Sequence, residues 1–269
     1  MPIQTGAVNS TGVGRSPRVH TMFRDIGGLA FLFWRTLQAL PLALRHRRKV
    51  LEQFYEIGMA SLLMVCILSV FIGGVLALEV GPVMVERGLA NFLGGIVGLG
   101  ICRELAPTLM AVLIAGRIGS AMAAEIGSMA VYQEIDALRT MNINPVHYLV
   151  LPRILAIAVG LPMLVIFADL VGWVGGALVC STNQQIAVSM QSFFANLRDT
   201  VEIKDVLHGL YKTFVFALVI GTVACHQGLG TIGGPRGIGR TVTKAVVNSI
   251  VLILILDYFL THLLVQIEK

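Results

Sequence analysis

Charged residues are scarce in this sequence. Of its 269 residues, 13% are Asp, Glu, Lys or Arg, whereas 56% are hydrophobic. A soluble globular domain carries about a quarter charged residues, so the composition excludes a chain that covers its whole surface with solvated side chains. The net charge of +5 is small. Most of the excess lies in two places, which argues against a nucleic-acid-binding face.

Motifs for metal, nucleotide or catalytic chemistry are also missing. The four cysteines lie far apart without a CxxC motif, and the six histidines lack HxxxH spacing, so no disulfide framework or metal site is indicated. Neither a GxxxxGK[ST] phosphate-binding loop nor a GxSxG nucleophile motif occurs. We therefore expect no cofactor and no catalysis in this chain, and ATP-driven activity would require a separate ATPase.

Long uncharged stretches take the place of such motifs. The 22 residues from Ile57 to Leu78 carry no charge, and a helix of that length crosses about 30 Å of hydrocarbon. Further apolar stretches follow, so we predict an all-α integral membrane protein with five membrane-spanning helices. Their approximate ranges are 57–79, 89–116, 154–179, 206–225 and 245–265.

Basic residues set the predicted orientation. One group precedes the first span, and a second group, Arg236, Arg240 and Lys244, lies between the last two spans. The positive-inside rule places both groups in the cytoplasm. The N-terminus is therefore predicted to lie inside and the C-terminus outside. We interpret the run of glycines from 228 to 239 as a flexible cytoplasmic loop.

The segment before the first span is predicted to lie on the membrane. Residues 21–45 place polar side chains on one helical face and apolar ones largely on the other, which is typical of an interfacial amphipathic helix. Residues 1–20 are polar and rich in Gly, Ser and Thr, and we predict a disordered extension there. The remainder, 21–269, is predicted to form a single domain.

A second amphipathic helix is predicted over residues 124–141, between spans two and three. Val131, Ile135 and Leu138 follow helical spacing on one face. Its cytoplasmic position favours a helix that docks into a cleft of a partner protein. A helix that merely lies on the lipid headgroups is the alternative.

Ionisable residues inside the spans require a partner or a wet cavity, because each costs at least about 2.5 to 3.5 kcal/mol at the bilayer centre. Arg103 and Glu104 are adjacent in the second span, and adjacent side chains on a helix point about 100° apart. Either at least one of them lines a polar cavity that meets a substrate headgroup or a second copy, or other helices satisfy both. The candidate partners are Asp169, Lys212 and Asp257.

Glycine spacing points to close helix packing. Gly94 with Gly98, and Gly172 with Gly176, follow small-xxx-small spacing, which lets helix backbones approach each other. We interpret these pairs as packing positions without a chemical role.

Five short motifs stand out in the second half of the predicted second span and in the segment that follows it. They are Arg103-Glu104-Leu105-Ala106-Pro107, Ala115-Gly116-Arg117-Ile118-Gly119-Ser120-Ala121, Ala124-Glu125-Ile126-Gly127, Glu134-Ile135-Asp136-Ala137-Leu138, and Pro145 through Tyr148-Leu149-Val150 to Pro152-Arg153. These motifs resemble the signature of the MlaE (YrbE) permease family, and the similarity covers essentially all of the chain after about residue 22. The chain departs from the family pattern at Ala106, at the pair Gln133-Glu134 and at Asn144.

The resemblance implies a homodimeric permease of an ABC transporter that moves lipids, typically glycerophospholipids, at the Gram-negative inner membrane. The implied partners are a cytoplasmic ATPase dimer that binds ATP and magnesium, a periplasmic ring of MCE-domain proteins and, in some systems, a small STAS-domain protein. Arg103 and Glu104 would lie by a lipid cavity at the dimer interface. The residues expected to couple to the ATPase are Glu125, Val131, Glu134, Ile135, Leu138 and Arg139.

Two other functions stay open from the sequence. An ion-coupled secondary transporter would move protons through Glu104, Asp169 and Asp257, and inverted internal repeats would favour it; none is evident. A non-transporting membrane scaffold would use the charges only to fix helix packing. An ATPase whose activity needs this chain would separate the ABC permease from both.

Overall fold

The computed structural model describes residues 18–38 and 47–267, and every regular element within them is a helix. This confirms the predicted all-α class. The predicted extension up to residue 17 and part of the predicted interfacial segment lie outside the described residues. The α-helices are α1 (Arg18–Gln38), α2 (Arg47–Glu86), α3 (Leu93–Gly100), α4 (Ala106–Ile114), α5 (Ser120–Val131), α6 (Glu134–Thr140), α7 (Leu151–Thr182), α8 (Met190–Thr200), α9 (Ile203–Leu229) and α10 (Gly234–Ile267).

Five helical elements of the described chain are long and apolar enough to cross a membrane. Each coincides with one predicted span, and all extend beyond the predicted ends except at residue 90, where the second begins one residue later than predicted. Helix α2 has 40 residues and is therefore about 60 Å long, twice the thickness of the hydrocarbon core. The five elements are Arg48–Glu86, Ala90–Val131, Val146–Thr182, Ile203–Leu229 and Gly234–Ile267.

The second of these elements, Ala90–Val131, is not a uniform helix and is called the second span below. Two π-helical segments, Ile101–Leu105 and Ala115–Gly119, separate α3, α4 and α5. A π-turn adds a residue to the turn and so rotates the side chains that follow relative to those that precede it. Pro107 directly follows the first π-helical segment, in the first turn of α4, and because it has no backbone N–H it cannot donate to a carbonyl of the preceding turn.

Helix α7 lies at the centre of the bundle, packed against α2, α4 and α9, and α10 packs against α9 and α5. The contact between α2 and α7 is close enough to require glycine. A Cβ on Gly73 would collide with the backbone carbonyl of Gly172, and one on Gly175 would collide with that of Val70. The glycines that this approach requires are therefore Gly73 and Gly175. A Cβ on Gly172 or Gly176, the pair predicted from spacing, would meet its nearest atoms at 3.4 and 3.2 Å and is less constrained.

Helix α8 lies between the predicted third and fourth spans, and hydropathy does not reveal it because the helix is short and partly polar. The Ser189 hydroxyl accepts a hydrogen bond from the Ser192 N–H at 3.2 Å and caps the helix. Phe193 and Leu197 are buried, and they pack where Gly94 and Gly98 open the surface of α3. In the sequence, the capping residue Ser189 and the i,i+4 apolar pair Phe193 and Leu197 were the signals that could have predicted this helix.

Two loop and helix predictions need correction. The predicted continuous helix over 124–141 is interrupted: α5 ends at Val131, Gln133 adopts a left-handed backbone with φ of 60°, and α6 follows. The predicted flexible loop over 228–239 is wrong for most of its length. Only residues 230–233 separate α9 from α10, because the positive φ of Gly233 and Gly234 turns the chain sharply.

Candidate functional site

A buried ammonium group joins three of the membrane-spanning elements. Lys212 of α9 is 0% exposed, and its Nζ lies 2.6 Å from Glu104 Oε2 of the second span and 3.0 Å from Asp257 Oδ1 of α10. The same Nζ donates to the backbone carbonyl of Arg103 at 3.3 Å. Because an unpaired charge in hydrocarbon is costly, these contacts tie α9, α10 and the second span together.

Arg103 also pairs with a residue of α9, the carboxylate of Asp205. Its Nε donates to Asp205 Oδ1 at 2.6 Å, and its Nη2 contacts the same oxygen. Asp205 and Lys212 are seven residues apart and therefore lie two turns apart on one helical face. The adjacent charges of the second span thus meet an opposite pair, an acid for Arg103 and a base for Glu104.

Asp205 has a second role at the start of α9. Its Oδ2 accepts a hydrogen bond from the Glu202 N–H at 2.8 Å, while the Glu202 side chain accepts from the Asp205 N–H. This reciprocal capping box satisfies two backbone donors that the helix itself leaves without a partner. The beginning of α9 is therefore held at the level of Arg103.

The charged cluster is closed on the α9 side and open on the other. The Arg103 side chain is 31% exposed and that of Glu104 is 42% exposed. The Thr261 hydroxyl donates to Glu104 Oε1 at 3.3 Å and adds a polar group from α10. The open side therefore presents both a guanidinium and a carboxylate to whatever approaches it.

The structure brings together two of the three partners named from the sequence. Lys212 and Asp257 contact the site, whereas Asp169 of α7 is buried at 3% exposure and forms no ion pair with another described residue. Sequence reasoning missed Asp205, because it falls at the edge of the predicted fourth span and resembles a loop residue. Its seven-residue separation from Lys212 was the signal that could have found it.

The residues proposed to contact an ATPase are spread over different environments. Glu125 pairs with Arg153 of α7 at 2.9 Å. Ile135 is only 5% exposed, and Val131 and Leu138 are half-buried. Their shared face therefore packs largely within the chain. The exposed residues of α6 and its flanks include Tyr132, Glu134, Asp136, Arg139 and Met141.

Among the described residues, no group of three or more His, Cys, Asp or Glu side chains is arranged to hold an ion.

Comparison with known proteins gives consistent matches. The family model described as Permease MlaE matches residues 50–263. The chain is 38% identical over 221 residues to a probable ABC transporter permease protein of Synechocystis, covering 82% of this chain and 83% of that protein. It is 36% identical over 218 residues to a probable ABC transporter permease protein of Rickettsia typhi, covering 81% and 83%. It is also 34% identical over 223 residues to the chloroplastic protein TRIGALACTOSYLDIACYLGLYCEROL 1 of Arabidopsis thaliana, covering 82% and 63%.

Proposed function

The chain belongs to the MlaE permease family, and we propose that it is the permease subunit of an ABC transporter that moves phospholipids. The transport would run between the bacterial inner membrane and a periplasmic MCE-domain carrier system, and would contribute to outer-membrane lipid asymmetry or lipid trafficking. The observation that carries the proposal is the charged cluster around Lys212, which three spanning elements hold open on the side of Arg103 and Glu104. The Arabidopsis relative supports a lipid cargo, since it bears the name of a galactolipid.

Arg103 is the residue that we assign to the lipid phosphate. A planar guanidinium can donate two aligned hydrogen bonds to a phosphate. Asp205 fixes the plane of the group from the α9 side, and the exposed part of the side chain faces the open side of the cluster. Arg103 attracts the headgroup either by direct contact or through the field that it creates.

Glu104 has a different role, because a carboxylate repels a phosphate. Its contact with the buried Lys212 ammonium holds that charge in place, and Lys212 is shared with Asp257 of α10. A movement of α10 relative to the second span would strengthen one of these ion pairs at the expense of the other. Glu104 thereby links the shape of the cavity to its charge and participates in lipid release.

The assembly that we propose is a homodimer with partners on both sides of the membrane. In the most apolar stretch of α10 only 6% of the residues are buried, against 56% in α7 and α9. This leaves an apolar face for a second copy. The ATPase dimer, which would bind ATP and magnesium, would contact the exposed residues of α6, and the MCE ring and any STAS protein would complete the system.

The experiment that tests the proposal compares bound lipid with assembly. Arg103→Ala should reduce the phospholipid recovered with the purified complex, while Glu104→Ala should lower transport-linked ATPase activity more than assembly. Native mass spectrometry reports both subunits and lipid. Arg198→Ala is the matched control, because Arg198 is exposed on α8.

The contrary result is equally clear. If both variants fail to dimerise or accumulate, then the two charges serve only to pair with buried partners. A purified complex in which ATP hydrolysis does not depend on this chain would favour a secondary transporter or a scaffold instead.

A further inference from the structure

Arg117 is a cation within the second span that faces α2. It lies in the π-helical segment Ala115–Gly119, and its Nη1 is 3.7 Å from Met64 Sδ. A thioether is a weak hydrogen-bond acceptor. No carboxylate among residues 18–38 and 47–267 forms an ion pair with Arg117, in contrast to Arg103 and Lys212.

The Arg117 side chain lies beside an apolar groove between α2 and the second span. The groove has a volume of about 460 Å³, and Arg117 is the only charged residue among its described lining residues. The apolar lining includes Ala60, Leu63, Met64, Ile67, Phe71 and Leu113.

The depth of the guanidinium makes its lack of an acidic partner significant. Met64 is the eighth residue of the uncharged stretch that begins at Ile57, so it lies about 10 Å along the helix from the start of that stretch. An arginine at this depth stays charged only if it reaches the interface, or if an anion or water reaches it. Among the described residues, the neighbours of Arg117 are apolar apart from one weak acceptor, so its guanidinium is available to an anion from outside the chain.

The groove also has a direction. Gly100 lies against Leu76 and Arg117 lies against Met64, so the second span runs antiparallel to α2. The cation is therefore nearer the N-terminal end of α2, and the apolar lining continues from there to Phe71. From Ala60 to Phe71 the helix advances about 16 Å, which is close to half of the roughly 30 Å hydrocarbon core.

We propose that this groove binds a phospholipid of the leaflet nearer the N-terminal end of α2. Arg117 binds the phosphate, and one acyl chain lies along α2 toward Phe71. An amphiphile fits both halves of the groove, whereas a free phosphate ion would leave the apolar half empty. The site is separate from the cluster at Arg103, which faces α9. It binds membrane lipid whether or not the Arg103 cluster carries transport.

The test uses the full chain, in complex with the subunits that co-purify with it, reconstituted into bilayers. Two light-activated probes are compared: a phosphatidylglycerol with a diazirine in one acyl chain, and a diacylglycerol with the same chain but no phosphate. The readout is covalent labelling of peptides that contain Ile67, Phe71 or Leu113. The phospholipid probe should label them more strongly than the diacylglycerol in the unmodified chain.

The Arg117→Gln variant should lower labelling by the phospholipid about tenfold, as expected for the loss of a charge-assisted contact, and should leave diacylglycerol labelling unchanged. Arg117→Lys should retain part of it. Ala60→Phe keeps the cation but fills the groove, and it should reduce labelling by both probes. This second variant keeps the test valid if Arg117→Gln does not accumulate.

Other outcomes would overturn the proposal. Equal labelling by both probes in the unmodified chain would mean that the groove is only a lipid-facing surface without a phosphate site. If neither probe labels the groove and Met64→Cys forms a cross-link between two chains, a second copy occupies it. Inorganic phosphate that abolishes labelling at millimolar concentration would identify a free anion as the ligand. Arg103→Ala should leave groove labelling intact, so this proposal and the proposed function can fail separately.

Discussion

At the scale of single residues, Lys212 pairs with more carboxylates than its single charge can neutralise. One ammonium, 0% exposed, serves two carboxylates from different helices. A buried ion pair is a weak source of stability in itself, but removing one partner leaves an uncompensated charge. The cluster is therefore sensitive to single substitutions and tolerant of balanced ones.

Replacing Lys212 with Met should destabilise the protein by about 3 to 5 kcal/mol, because Glu104 and Asp257 would be left without their shared cation. The measurement is the thermal midpoint of the detergent-purified complex. Adding Glu104→Gln and Asp257→Asn should recover much of the loss. Lys204→Met is the control, since that side chain is 81% exposed. A Lys212→Met midpoint equal to that of the unmodified chain would show that these contacts do not hold the helices together.

Sequence reasoning reached part of this cluster. The 100° separation of neighbouring helical side chains predicts that Arg103 and Glu104 find separate partners, and Lys212 and Asp257 follow from the scarcity of intramembrane charge. Asp205 could not be predicted as a partner in this way, because hydropathy does not define the ends of a span to the residue. The π-helical segment at Ile101–Leu105 also shifts the helical phase, and hydrophobic periodicity contains no signal for such a shift.

At the scale of elements, the packing of α2 on α7 depends on missing side chains rather than on large ones. The backbones meet at Gly73 and Gly172, and at Gly175 and Val70. Close backbone approach increases van der Waals contact, which drives helix association where lipid removes the hydrophobic effect.

Gly73→Ala should therefore separate the two helices and cost about 1 to 3 kcal/mol, as overpacking usually does. Gly58→Ala lies in the same helix with no atom near the added methyl group, so it should be neutral or slightly stabilising. Thermal midpoints of the two variants provide the comparison. Equal midpoints would show that α2 and α7 can adjust without loss.

Helix α6 divides its residues between folding and contact. Ile135→Asp should reduce accumulation of the chain, because it places a charge in a buried position. Met141→Asp, at an exposed position, should leave accumulation normal but weaken ATPase binding. Pull-down of the ATPase, normalised to the amount of inserted chain, distinguishes the two. Full ATPase binding by Met141→Asp, and by a matching Tyr132→Asp variant before the helix, would exclude docking at either end of α6.

At the scale of the whole molecule, the number of spans was predictable and the assembly was not. Length and hydropathy are enough to identify each span. Helix α8 and the break at Gln133 instead depend on local capping and backbone conformation, which hydropathy does not report. The exposed face of α10 has the same composition as a lipid-facing helix, so no sequence pattern separates a dimer interface from a lipid contact.

The orientation can be checked by cysteine labelling from the periplasm. Gln266→Cys, near the end of α10, should react with a membrane-impermeant reagent, and Arg240→Cys, near its start, should not, because the basic groups are predicted to be cytoplasmic. Permeabilised cells provide the control in which both react. Reaction of both in intact cells would contradict the five-span orientation.

The double use of Asp205 makes the first turn of α9 a reporter of events at Arg103. One carboxylate holds the guanidinium through Oδ1 and the Glu202 N–H through Oδ2. An anion that draws the guanidinium away would change the charge available to the cap, so the lipid binding proposed for Arg103 would be thermodynamically linked to fraying of α9. Such linkage is reciprocal: a contact that tightens or loosens residues 201–205 would alter the affinity for that lipid by the same factor. A partner bound at that end of α9 would thus regulate the cavity without touching the lipid.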